Sequence, residues 1–126
     1  MKLALLLDTN VIIWFFEGRA GLSQRVKDRL LTGDEINFIS VVSGWEYEQK
    51  RKKRPEEYIP SFSEIIADVP HVALDLEFDI YHYAESLPLI HRDPFDRMLI
   101  AQAIHHDLEF IASDEAIHKY PVRIFW

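Results

Sequence analysis

The chain has 126 residues, no cysteine and a formal charge of −7 at pH 7, a size that supports one substantial core rather than two. The missing thiols exclude disulfides, iron–sulfur clusters and thiolate zinc sites and suit a reducing cytoplasm. No apolar run reaches the roughly 20 residues of a membrane span, and the acidic excess argues against a nucleic-acid partner unless some of the acids hold a cation that reverses the local charge.

Leu3 to Leu7 is an uninterrupted apolar run that stops on Asp8. It reads as a strand buried on both faces, and Asp8 falls at its C-terminal end, where open α/β sheets place their ligands. Met1 and Lys2 before this run faintly imitate a signal peptide, but Asp8 interrupts it early and no small-residue cleavage site follows. A cytoplasmic protein with no membrane partner is expected. Thr9 to Phe16 is too apolar for a surface helix and is closed by Gly18 and Gly21. Trp14, Phe15 and Phe16 cannot all face one core from a helix, so at least one should be exposed or covered by another chain.

Leu22 to Leu31 carries Leu22, Val26, Leu30 and Leu31 at helical spacing, with Ser23 as N-cap and Gly33 as the stop. Ile36 to Ile39 reads as a second strand. A helix then runs from Ser40 into the basic block Lys50 to Arg54 before Pro55, a block that either faces phosphate or is an ordinary solvated helix end. Glu56 to Val69 looks helical, with an interruption at Pro60 and an end at Pro70. His71 to Leu74 comes next as a third strand, then Glu77 to Leu87 as a helix limited by Pro88, and Pro94 to His106 as the clearest helix of the chain. Glu109 to Ala112 and Val122 to Phe125 supply two closing strands. This alternation predicts a single α/β domain over residues 1–126, with a parallel sheet of four to five strands covered by helices on both faces.

Four acids recur at junctions between apolar runs and helices: Asp8, Glu46, Asp96 (with Asp93 beside it) and Asp114. Each has a purely structural reading. Ser43-x-x-Glu46 has capping-box spacing, and Asp93-Pro94-Phe95-Asp96 is a good helix start with Asp93 as N-cap. Asp8 can cap the helix after it, and Asp114 a short turn. Such an account needs four coincidences, whereas a metal site needs one. Carboxylates without Cys suit a hard cation, Mg²⁺ or Mn²⁺. The six histidines show no paired metal spacing: His105 and His106 are adjacent and should point to different helix faces, and a loop hydrogen bond is expected of His91 in preference to ligation.

Asp8-Thr9-Asn10 after the first strand, Ser40 to Glu46 opening a helix, His91-Arg92-Asp93-Pro94-Phe95-Asp96-Arg97 and Ala112-Ser113-Asp114 together resemble the PIN domain. More narrowly, they resemble the VapC-type toxin ribonucleases of toxin–antitoxin pairs, over essentially the whole chain. The resemblance implies a catalytic and metal-binding quartet of Asp8, Glu46, Asp96 and Asp114 around Mg²⁺ or Mn²⁺. It also implies endonucleolytic hydrolysis of RNA by a metal-activated water, leaving a 5′-phosphate and a 3′-hydroxyl. A cognate antitoxin and a second copy of the chain in a homodimer are the implied protein partners. Arg97 would contact phosphate or pair with the acidic cluster. Gly44 departs from the usual pattern of a better helix former and suggests close backbone packing. Two rival readings remain at this point. A haloacid-dehalogenase-like phosphatase requires a second Asp where this chain has Asn10, and a non-catalytic interaction module would use Trp14, Phe15, Phe16 and Trp45 as a binding surface.

Overall fold

In the computed structural model, which describes residues 4–18 and 21–126, five strands pair in parallel. They are β1 (Ala4–Leu7), β2 (Ile36–Ser40), β3 (Val72–Leu74), β4 (Glu109–Ile111) and β5 (Ile124–Phe125), ordered β3-β2-β1-β4-β5. Leu3, expected at the start of β1, lies outside the described residues. β1 is central because Leu5, Leu6 and Leu7 are wholly buried, as a strand covered on both faces must be. Its alternation sorts the core into two layers. Leu5 and Leu7 pack with Val11, Ile12, Val26, Leu30 and Ile65 on one side, while Leu6 packs with Leu99, Ile100, Ala103, Phe110 and Ile117 on the other.

Six helices supply those layers: α1 (Thr9–Glu17), α2 (Gln24–Thr32), α3 (Val41–Lys53), α4 (Phe62–Ile66), α5 (Ile80–Ser86) and α6 (Pro94–His105). α1 is the expected buried helix. It stops at Gly18, whose φ of 66° lets its amide return to the Phe15 and Trp14 carbonyls, a left-handed cap that glycine adopts without a steric cost. Of its three consecutive aromatics only Phe16 is exposed. Trp14 and Phe15 lean on the first layer, with Trp14 edge-on to Trp126 at 6.0 Å. Ser23 caps α2 as expected, accepting from the Val26 amide. Gly44 packs its backbone on the Phe62 ring, which an added Cβ would meet at 3.1 Å.

Three expectations need correction. The segment from Glu56 to Pro60 is turn and loop rather than helix, and only Phe62–Ile66 is helical. Pro60 removes a donor there, and Ser61 starts a new helix by accepting from the Glu64 amide. α5 begins at Ile80, three residues later than the sequence pattern suggests, so Glu77 lies on a loop. The capping box at Ser43 does not form. β2 extends to Ser40, whose hydroxyl caps α3 through the Val42 amide at 3.0 Å, and Ser43 sits inside the helix, fully buried.

Among the described residues no helix is long and apolar enough to cross a membrane.

Candidate metal centre

All of the parallel strands end at the same edge, and the chain order reverses beside β1: β2 and β3 lie to one side, β4 and β5 to the other. A crevice opens at such a reversal because the loops on either side leave in opposite directions. Asp8 follows β1 directly and is fixed there by its amide, which donates to the Ile111 carbonyl of β4 at 3.0 Å. Asp114 stands just beyond the end of β4. Glu46 comes from α3, which springs from the end of β2, and Asp96 from the first turn of α6.

The four acids differ sharply in environment. Asp8 is only 4% exposed and Glu46 7%, whereas Asp114 is exposed. Asp8 occupies the N-cap position of α1 but makes no cap hydrogen bond with its side chain. Burial first, then the charges of Asp96 and Glu46, push its carboxyl up to about 8. Asp96 is raised to about 7, again by burial first, then by Asp93 and Glu46, with His91 opposing. Glu46 Oε1 is buried without a hydrogen-bond partner among the described residues, while its other oxygen lies 3.6 Å from Lys50 Nζ. A buried, unpartnered carboxylate oxygen is expensive. A cation removes that cost and the mutual repulsion together, so this donor set fits a hard divalent ion.

Glu46, Asp93 and Asp96 each offer an oxygen within 4.8 Å of the others, and His91, Asp96 and Asp114 do the same with one ring nitrogen. Asp93 acts as the N-cap: its Oδ1 accepts from the amides of Phe95 at 2.8 Å and Asp96 at 3.3 Å. Asp114 both caps and faces the cluster. Its Oδ1 accepts from the Ala116 amide, capping the short turn that leads to a 3₁₀ segment, while Oδ2 lies 3.5 Å from His91 Nε2. Behind the acids, Thr9 donates its hydroxyl to Ser43 Oγ at 2.9 Å and ties the start of α1 to α3. That bond fixes the separation of Asp8 and Glu46.

His91 is the participant that sequence reasoning undervalues. Its Nδ1 accepts from the Asp93 amide at 3.2 Å, so the proton of the neutral ring resides on Nε2, which points at Asp96 Oδ2 at 2.9 Å. In this arrangement the ring donates a hydrogen bond into the acidic cluster and cannot serve as a metal ligand through Nε2 without giving up the Asp96 contact. The one sequence signal for it is position: a His two residues before an N-cap Asp, with Pro94 holding that Asp extended.

Arg97 corrects one of its two expected roles: it forms no ion pair with Asp8, Glu46, Asp96 or Asp114, and backbone carbonyls engage its guanidinium instead. Its Nη2 donates to the Ala84 carbonyl at 2.7 Å and its Nη1 to that of Pro88 at 3.0 Å, with Leu87, His91 and Tyr120 as longer partners. In the basic block, Lys50 faces Glu46, Arg51 faces Glu48 and Arg54 faces Glu57, so much of its charge is already opposed within the chain.

The family model of the PIN domain matches residues 5–122. No curated protein matches the chain significantly. Solved structures do. A DNA-bound VapBC from Salmonella typhimurium superposes with a TM-score of 0.72 at 18% identity, over 98% of this chain and 97% of that one. A toxin–antitoxin complex from Klebsiella pneumoniae gives 0.68 at 22% identity, over 98% and 97%. VapBC2 from Rickettsia felis, bound to a DNA fragment from its promoter, gives 0.69 at 13% identity, over 98% of each chain. At these identities the likeness is one of fold.

Proposed function

This chain belongs to the PIN domain family, and from that premise we propose that it is a divalent-metal-dependent endoribonuclease, the toxin of a toxin–antitoxin pair. The observation that carries the chemistry is the orphaned, buried oxygen of Glu46 beside Asp8 and Asp96, two carboxyls raised far above their ordinary range. Asp8, Glu46 and Asp96 are the residues proposed to hold Mg²⁺ or Mn²⁺, with Asp114 completing the site. The bound ion supplies a Lewis acid for the phosphodiester and an acidified water. Through its unpartnered Oε1, Glu46 would hold the ion directly or through the attacking water that it orients. His91 holds the Asp96 carboxylate in one orientation through Nε2–H, and the Thr9–Ser43 bond keeps Asp8 and Glu46 at a fixed spacing. RNA is the proposed substrate, cut to a 5′-phosphate and a 3′-hydroxyl.

The antitoxin is proposed on the likeness to the Salmonella VapBC and the Klebsiella toxin–antitoxin complex. Phe16, the exposed member of the α1 aromatics, offers an apolar anchor for it. A homodimer in the cytoplasm is proposed on the family resemblance.

The decisive experiment is RNA cleavage by protein verified free of contaminating nuclease, with and without excess EDTA. Cleavage should vanish in EDTA, return with Mn²⁺ and leave 5′-phosphorylated fragments. Undiminished cleavage in EDTA sinks the proposal.

A companion measurement separates cap from ligand within one motif. Asp93→Ala should lower stability by about 1 kcal/mol, the usual effect of losing an N-cap, and keep measurable cleavage, because Asp93 Oδ1 is committed to two amides. Asp96→Asn should fold and be inactive. Urea unfolding and a cleavage assay on both variants check this, and exchanged phenotypes would reverse the assignment.

A further inference from the structure

A second cluster of donors lies at the far end of α6, about nine residues and roughly 14 Å along the helix from Asp96. Glu77, His105 and His106 each offer one ligand atom, and the three atoms all lie within 4.8 Å of one another. Adjacent helical residues normally diverge by about 100°. Here the two rings nevertheless meet: His106, the C-cap residue of α6 with φ −94° and ψ 4°, turns its ring to Glu77 and to 4.7 Å from the His105 ring, centroid to centroid. The His105 ring is held from the other side by Tyr83, 4.2 Å between centroids.

The carboxylate is oriented rather than loose. Glu77 Oε1 lies 2.8 Å from His106 Nε2 and accepts from Gln102 Nε2 at 3.4 Å. Gln102 is itself fully buried and anchored by the Ser40 hydroxyl at 2.6 Å. Glu77 Oε2, in contrast, is buried with no partner among the described residues. An ordinary His106–Glu77 ion pair accounts for the first oxygen but not for the second, nor for the approach of His105.

We propose that Glu77, His105 and His106 bind one transition-metal ion of the Zn²⁺, Co²⁺ or Ni²⁺ class, with a further coordination position open to solvent. Two imidazoles and one carboxylate are a borderline donor set that selects such ions over Mg²⁺. Metal–ligand bonds of roughly 2.0–2.2 Å require donors about 3.4 Å apart, a spacing reached by ring rotation of the exposed histidines. The Gln102 hydrogen bond holds the carboxylate ready, the role that outer partners of metal ligands commonly play. The ion would fasten the loop carrying Glu77 to the end of α6, a site separate from the carboxylate crevice in both place and metal preference.

The test is a Co²⁺ titration of the full chain in excess Mg²⁺, followed by the visible absorption of low-coordinate Co²⁺. One equivalent should develop the band, and Zn²⁺ should abolish it by displacement. Asp8→Asn should leave it unchanged. His105→Ala should weaken binding at least tenfold while Mg²⁺-supported cleavage stays at the parent level. No band at one equivalent in the parent protein, or a band that survives His105→Ala with unchanged affinity, overturns the proposal. Because His105 is exposed, its replacement tests the site without threatening the fold. The spectrum is read independently of nuclease activity.

Discussion

Asp8→Asn should abolish RNA cleavage and, in the absence of metal, make the protein more stable than the parent. Loss of a residue that merely supports a metal ligand typically costs about 10–100-fold, so loss of a central ligand should cost roughly a hundredfold or more. The gain in stability comes from burial. Asp8 sits 4% exposed among Asp96 and Glu46, and the neutral amide of Asn is close in shape without the charge.

The pH dependence gives this its sign. The folded carboxyl of Asp8 titrates at about 8 against an ordinary 3.8, so between those values the folded chain binds more protons than the unfolded one. Stability from this group is complete below about pH 4 and falls as pH rises toward 8, on the order of a few kcal/mol in all. Asp96, raised to about 7, slopes the same way. Metal-free parent protein should therefore lose melting temperature from about pH 5 to pH 8, Asp8→Asn should lose distinctly less, and Mg²⁺ or Mn²⁺ should restore the parent at the upper end of that range. A parent protein equally stable at both ends without metal would show that these carboxylates do not confront one another.

How much of the fold and the site is legible in the sequence depends on which force sets each feature. β1 and α1 are readable because full burial leaves an unmistakable composition, and Asp8 because a carboxylate directly after such a strand contributes nothing to packing. Asp93 and α6 are readable because an Asp-Pro start uses local backbone chemistry. The segment after Glu56 misleads because its polar residues have helical propensity but no apolar face to pack, and Pro60 prevails where nothing opposes it. The meeting of His105 and His106 escapes the pattern because it is set by side-chain rotation toward the loop that carries Glu77, which helical periodicity does not encode. The role of His91 and the inward turn of Arg97 are tertiary, set by a loop folding over a helix start, and no local pattern encodes that.

Arg97 supplies the sharpest separation between a substrate-binding and an architectural role at the crevice. Its two terminal nitrogens fork across the carbonyls of Ala84, Leu87, Pro88 and His91, and Tyr120 Oη closes the same arrangement by accepting from the His91 amide at 2.7 Å. The clamp thus fixes the loop that delivers His91 to Asp96. Lysine retains the charge but presents one compact ammonium in place of a planar fork, so it cannot reach carbonyls in two directions. Arg97→Lys should lose about 2 kcal/mol, the scale of a hydrogen bond to a charged group, or roughly 7 °C in melting temperature. Cleavage should fall because His91 is no longer anchored. RNA binding, measured in an Asp8→Asn background across a salt series, should keep its slope, since no phosphate contact is removed. If instead the fold were as stable as the parent and the salt slope shallower by about one ion, Arg97 would be reaching out to the RNA backbone and the clamp would be incidental.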